Sequence, residues 1–170
     1  MQALGLVWEN LVRSGRPMRE IRTTLAEPTH FGARLLLEHW WERQPRGGIV
    51  MGRDLPSRSL GCILRNLAVY EPVDGGQDYR VRLAGAAFMR LFAQEISGLK
   101  LSQFVTSDCM EDYREEFSCV FEVGAPVLHN VRIMCGEKTH VEFETLHLRI
   151  LAPRGIAAWV LGSVFYNDWV

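Results

Sequence analysis

The chain lacks the features that mark membrane-inserted and secreted proteins. In its 170 residues, no segment approaches the roughly 18 to 20 consecutive apolar residues that cross a bilayer. The opening MQALGLVWENLV has no basic region ahead of its apolar residues, and Glu9 interrupts it, so a signal peptide is not predicted. We therefore expect a cytoplasmic protein with no membrane partner.

Cysteine is scarce and scattered. The four cysteines, at positions 62, 109, 119 and 135, form no Cys-x-x-Cys pair and lie mostly among apolar neighbours. This pattern favours free, buried thiols in a reducing compartment over disulfides.

Neither sign of charge dominates the chain. The net charge is −1 and the pI is about 6.5, so we expect no nucleic-acid partner. Residues 1–60 hold nine arginines, no lysine and six acidic residues. These arginines are dispersed, which is typical of a solvated or docking surface.

Motifs of common enzyme classes are also missing. No Gly-x-Ser-x-Gly is present, and Gly162-Ser163 falls in a predicted strand. Gly85 and Gly98 are too far apart to form a phosphate-binding loop. The prediction is a protein that is not an enzyme.

Large apolar residues at helical spacing are prominent near the start of the chain. Residues 3–12 and the segment from Ala33 to Pro45 each carry an apolar stripe, and a weaker helix is predicted over 18–28. Short helices cannot bury such stripes alone, so a second copy of the chain is the expected partner. Homodimerisation is predicted through Leu4, Val7, Trp8, Leu11, Leu37, Trp40 and Trp41.

The remaining pattern predicts an α+β fold. Strands are expected over 67–71, 79–83, 127–135, 140–151 and 156–166, with one helix between Gly85 and Gly98 and another from Asp108 to Gly124. Short turns require antiparallel pairing of the last three strands, and the helices must cover one sheet face. We divide the chain into a helical extension, residues 1–32, and a domain, residues 33–170.

Two strands carry additional information. In 140–151 the apolar positions change parity after Phe143, which predicts a β-bulge near Thr145. The strand 156–166 is apolar on both sides, which is typical of a strand in the centre of a sheet that is covered on both faces.

The order of elements and several short stretches resemble a PAS domain, and more narrowly the small stand-alone PAS-like proteins found mostly in alphaproteobacteria. The stretches are HWWE at 39–42, DLPSR at 54–58, YRVRLAG at 79–85, FAQEISGLKL at 92–101, GAPV at 124–127 and WVLGSVF at 159–165. The resemblance covers about residues 35–167. The chain departs from the family pattern at Ala93, where glycine is common.

The resemblance implies a five-stranded antiparallel sheet in the order 2-1-5-4-3, with helices over one face. It also implies a non-catalytic sensory or interaction module of bacterial signalling that binds a small apolar ligand or a signalling protein. Some relatives hold haem through an axial histidine or flavin near a cysteine. His129 begins a strand and Cys109 lacks the flavin-type neighbourhood, so no cofactor is expected.

Aromatic residues mark the candidate site. The space between helices and sheet is expected to be lined by Leu83, Phe88, Phe92, Phe104, Phe117, Phe121, Phe143 and Trp159. Two interpretations stay open: these side chains fill a core, or they wall a ligand pocket, since both are rich in apolar side chains.

The polar residues of strand 140–151 raise two other possible chemistries. His140, Glu142 and Glu144 project from one strand face and His147 rejoins them after the predicted bulge, but neighbours on one face are roughly 6–7 Å apart and rarely converge on one ion. No metal is therefore expected. The alternative function is a small cone-shaped α+β enzyme like the steroid isomerases, which needs Glu142 or Glu144 facing inward with a raised pKa.

Overall fold

The computed structural model describes residues 18–135 and 137–167. These residues contain six strands and three α-helices, which form an α+β fold. The elements are β1 (Met18–Thr24), α1 (Phe31–Arg43), β2 (Leu67–Val73), β3 (Asp78–Ala84), α2 (Ala86–Phe92), α3 (Ser107–Glu122), β4 (Val127–Cys135), β5 (Lys138–Leu151) and β6 (Ala158–Tyr166). None of these helices is long and apolar enough to cross a bilayer.

The strands form a single antiparallel sheet in the order β1-β4-β5-β6-β2-β3. The strand that was predicted to be central, β6, lies between β5 and β2, and the five predicted strands keep the expected order. The predicted number of strands was wrong, because β1 adds a sixth at the β4 edge. Residues 18–24 had been assigned to a helical extension. Pairing along β4, together with the β-branched residues Ile21, Thr23 and Thr24, outweighs their weak helical spacing.

Helices cover both faces of the sheet, whereas one covered face was predicted. We call the side packed by α1 the outer face and the side packed by α2 and α3 the inner face. Leu36 and Trp40 of α1 join the outer core, and Phe88 and Phe117 join the inner core. The apolar stripe of α1 is buried here because β5 and β6 present apolar side chains on both sides.

Burial on both faces also explains the change of parity along β5. Residues 143–148 are all buried, with Phe143 in the inner core and Leu146 in the outer core. No bulge occurs near Thr145, so that prediction was wrong. The irregularity lies between the pairs Ile133–Val141 and Met134–Thr139.

The turn after β3 depends on a glycine. A Cβ at Gly85 would lie 2.2 Å from the carbonyl oxygen of Arg65, so the chain passes too close to the 3₁₀ segment Arg58–Asn66 for any side chain. Helix α2 then ends at Phe92, earlier than the predicted end at Gly98, because Ala93 adopts a left-handed φ of 56°. Glycine takes that conformation without strain, which explains why it is common there in the resembling family.

The predicted dimer residues differ in how far they are buried. Trp40 is only 2% exposed and donates from Nε1 to the Arg149 carbonyl at 2.8 Å, so it belongs to the core rather than to an interface. Trp41 is 55% exposed and Leu37 is half-buried. The other four, Leu4, Val7, Trp8 and Leu11, lie outside the described residues.

Three cysteines differ from the buried thiols that were predicted. Cys62 and Cys119 are exposed and Cys109 is half-buried, and all three are free thiols. Cys62 lies in the 3₁₀ segment, and Cys109 and Cys119 lie on α3, where Cys109 lines the cavity described below.

Candidate functional site

A cavity of about 540 Å³ lies between the inner face and helices α2 and α3. Strands β4, β5 and β6 form its floor, and residues of β1 close one side. Its wall is mainly apolar, with Phe88, Phe92, Phe104 and Phe143 among the lining side chains. Its volume falls in the range of pockets that enclose small molecules.

Four of the eight predicted lining residues therefore meet in this cavity, one more lies beside it, and another borders a different recess. Phe117 is fully buried next to the cavity, where its ring centroid is 5.2 Å from that of Tyr70 and 5.1 Å from that of His147. Phe121 borders a separate, more open recess of about 310 Å³, together with Tyr79.

Leu83 and Trp159 do not line the cavity, which corrects their predicted role. The β2–β3 register shifts between Val69–Leu83 and Tyr70–Val81, so Leu83 follows Val69 to the outer side, where it is 45% exposed. Trp159 belongs to the outer core, with the Arg82 guanidinium 5.7 Å from its ring centroid. Simple strand alternation could not reveal the register shift.

The floor of the cavity has a polar end formed by β5. Thr145 and His147 are both buried and lie among the lining residues. The Thr145 Oγ1 atom has no hydrogen-bond partner among the described residues. Gly162 of the neighbouring strand makes room here, because a Cβ would lie 2.7 Å from the Tyr70 ring and 3.1 Å from the His147 ring.

Behind His147 lies a group of charged side chains that we call the ionic cluster: Arg22, Glu116, His129 and His147. The Glu116 Oε2 atom lies 2.7 Å from His147 Nδ1, and its Oε1 atom lies 3.4 Å from His129 Nδ1. Arg22 of β1 donates to Glu116 Oε1. The cluster therefore links the edge strand β1, helix α3 and the cavity floor.

Burial and the neighbouring charges shift the pKa of Glu116 in opposite directions. Burial alone raises the pKa of this carboxyl, but the contacts with His147, Arg22 and His129 outweigh it and hold the pKa at about 2. The pKa of His129 is lowered, mainly by burial. Glu116 is thus an anion over the whole physiological range.

Sequence reasoning missed the ionic cluster, although one signal for it was present. Tyr113, Phe117 and Val120 recur at helical spacing within the predicted helix from Asp108 to Gly124, and Glu116 lies within the apolar stripe that they form. An acidic residue on a buried helix face needs a cationic or hydrogen-bonding partner. Its partner Arg22 comes from a segment that was predicted to be helical, so the pair could not be foreseen.

The metal-ligand set considered from the sequence does not assemble. Glu144 accepts from residues that precede α1, on the outer face, whereas His147 lies in the inner cavity. Glu142 shares the side of Glu144, because strand neighbours two apart share a face. The side chain of His140 lies outside the described part of the structure.

The antiparallel sheet, the central position of its last strand in sequence and the cavity under two helices define an α+β domain with an inner cavity. The family is equally clear. A family model described as PAS domain matches residues 29–165, most of the chain, so this protein belongs to the PAS-domain family, as its sequence motifs predicted. Comparison with curated proteins and with solved structures yields no match.

Proposed function

We propose that this protein is a cytoplasmic, non-catalytic sensory module that binds a small, mainly apolar molecule in the cavity above β4, β5 and β6. The observation that carries the proposal is the cavity itself: about 540 Å³, walled by phenylalanine and aliphatic side chains, with a small polar end. Apolar surface with a few placed polar groups is the usual composition of a ligand pocket.

The ionic cluster supplies a route from the ligand to the start of the chain. His147 lines the cavity and contacts Glu116, and Glu116 accepts from Arg22 of β1. A ligand that displaces the His147 ring changes the contacts that hold β1 against α3. The output is then a change in the packing of β1, read by a signalling protein or a second copy of the chain.

Homodimerisation remains part of the proposal, with a revised surface. Trp40 is buried, so the predicted contact residues left on α1 are Trp41 and the half-buried Leu37. They would act together with Leu4, Val7, Trp8 and Leu11 of the N-terminal segment. PAS domains commonly associate in pairs, which supports this view.

The isomerase-like alternative gains no support from the site. It requires a carboxyl that faces the cavity with a raised pKa. Glu144 lies on the outer face with the residues before α1, and the pKa of Glu116 is lowered to about 2. A carboxylate this acidic is a poor base at neutral pH.

A pair of valines on β6 tests whether the cavity has room for a larger side chain and binds a ligand. Val164 lines it, whereas Val160, on the same face of the same strand, is fully buried outside it. We expect Val164→Phe to change the free energy of unfolding by less than about 1 kcal/mol, and Val160→Phe to lower it by about 2 kcal/mol through overpacking. Urea unfolding followed by tryptophan fluorescence measures both.

Probe binding completes this test. We expect 2-naphthol to bind the wild-type protein and Val160→Phe, and to bind Val164→Phe at least tenfold more weakly. Equal destabilisation by the two substitutions, or no binding to the wild type, would overturn the proposed function.

A further inference from the structure

We propose that Thr145 sets the specificity of the cavity, selecting ligands whose apolar body carries an uncharged hydrogen-bonding group such as a hydroxyl or a carbonyl. This inference rests on the proposed function and names the ligand class. It goes further than the cavity alone, since an apolar pocket without a polar anchor would take any hydrocarbon of suitable size.

The first argument is that the Thr145 hydroxyl is buried without a hydrogen-bond partner among the described residues. The residue as a whole is 8% exposed. A buried hydroxyl without a partner costs stability. A ligand group placed over β5 satisfies it, and a hydroxyl can donate as well as accept.

The second argument concerns charge. Apart from His147, which contacts Glu116, the cavity floor around Thr145 is built from apolar side chains such as Val131 and Val164. Two arginines of β1 line the cavity. Arg22 is already paired with Glu116 and Glu20, and Arg19 lies beside Met134, five residues along β4 from His129, the partner of Thr145. A carboxylate bound over Thr145 would lose its water without gaining a free cation, so a charged group is disfavoured there.

The third argument excludes a cationic ligand group. Glu116 is the carboxylate closest to the polar end, but it is engaged by His147, His129 and Arg22. The acidic residues that do line the cavity, Glu20, Asp108 and Asp112, belong to β1 and α3 rather than to the floor. An ammonium group over Thr145 would thus have no free counter-ion.

Three probes with one ring skeleton test the inference: naphthalene, 2-naphthol and 2-naphthoate. Their dissociation constants are measured by ligand-observed NMR titration on the wild type, Thr145→Val and Thr139→Val. Thr139 is an exposed threonine of the same strand and serves as the matched control. We expect 2-naphthol to bind the wild type and the control about fivefold tighter than naphthalene, the ratio that one net hydrogen bond gives.

In Thr145→Val this ratio should fall to about one while naphthalene affinity is kept, and Thr145→Ser should restore it. The 2-naphthoate anion should bind the wild type more weakly than 2-naphthol. An unchanged ratio in Thr145→Val, or tightest binding of the anion, would overturn the inference and leave the proposed function standing. Failure of all three probes to bind the wild type would overturn both.

Discussion

Replacing Glu144 by alanine is expected to lower the free energy of unfolding by about 3 kcal/mol, because hydrogen bonds to a charged group are lost. Glu144 is fully buried on the outer face. Its Oε2 atom accepts from Thr29 N at 3.0 Å, Thr29 Oγ1 at 2.6 Å and His30 N at 3.2 Å. These donors immediately precede α1, so the carboxylate anchors the start of that helix to the middle of β5.

Packing at the start of α1 adds to the expected loss of unfolding free energy in Glu144→Ala. The His30 ring stacks on Phe165 with centroids 4.9 Å apart, and its Nδ1 accepts from Gly32 N to cap α1. A Cβ at Gly32 would lie 2.3 Å from the Phe165 ring, which shows how closely the helix start approaches β6. Loss of the anchor therefore loosens the whole outer layer.

Glu142→Ala is the matched control for this prediction. Glu142 lies two residues away on the same strand side, is half-buried, and accepts from Asn130 Nδ2 at 2.9 Å. Its replacement should cost about 1 kcal/mol or less. Urea unfolding measures the free energy of unfolding of both variants. An equal decrease in the two would show that Glu144 is not the anchor of α1.

Glu116→Gln is expected to lower the free energy of unfolding by about 3 kcal/mol at pH 7. This figure follows from a pKa of about 2 in place of the ordinary 4.5, since each unit corresponds to about 1.4 kcal/mol. Glutamine keeps the size of the side chain and can still accept a hydrogen bond, but it has no negative charge to set against Arg22. Hydrogen exchange of the β1 amides should accelerate as well, because Arg22 loses its contact with α3.

The same carboxylate predicts a pH dependence with a definite sign. A lowered folded-state pKa means that stabilisation is complete above about pH 4.5 and is lost as the pH falls toward 2. Between these values, the wild type should lose about 3 kcal/mol more stability than Glu116→Gln. Chemical unfolding at pH 6, 4.5, 3 and 2 measures this difference.

Glu115→Gln is the control for the ionic cluster. Glu115 is the exposed neighbour of Glu116 on α3, so its replacement should leave both the stability at neutral pH and the acid profile close to those of the wild type. A Glu116→Gln profile that parallels the wild type would contradict the role given to the cluster.

The sequence predicted features that depend on local pattern and on burial. The α+β class and the central position of β6 followed from the apolar residues on both sides of 156–166, because only a covered central strand tolerates them. The family followed from motifs such as HWWE and YRVRLAG. Phe88, Phe92, Phe104 and Phe143 were placed between the helices and the sheet, either as core or as the wall of a pocket, because large apolar residues of facing elements meet there.

Features that depend on distant contacts could not be predicted in the same way. Leu83 and Trp159 were misplaced, since a register shift in β2–β3 and the parity of β6 decide their side of the sheet. Residues 18–24 became a strand through pairing with β4, a partner more than a hundred residues away. The ionic cluster arises from that pairing, because β1 brings Arg22 to Glu116.

Native mass spectrometry of freshly purified protein, compared with Val164→Phe, tests the central claim that the inner cavity holds a small molecule. We predict that the wild type carries a retained mass that is released on denaturation, and that the variant carries much less of it. The same spectrum counts the subunits. A wild-type protein that shows only the mass of its bare chain, indistinguishable in occupancy from Val164→Phe, would contradict the account.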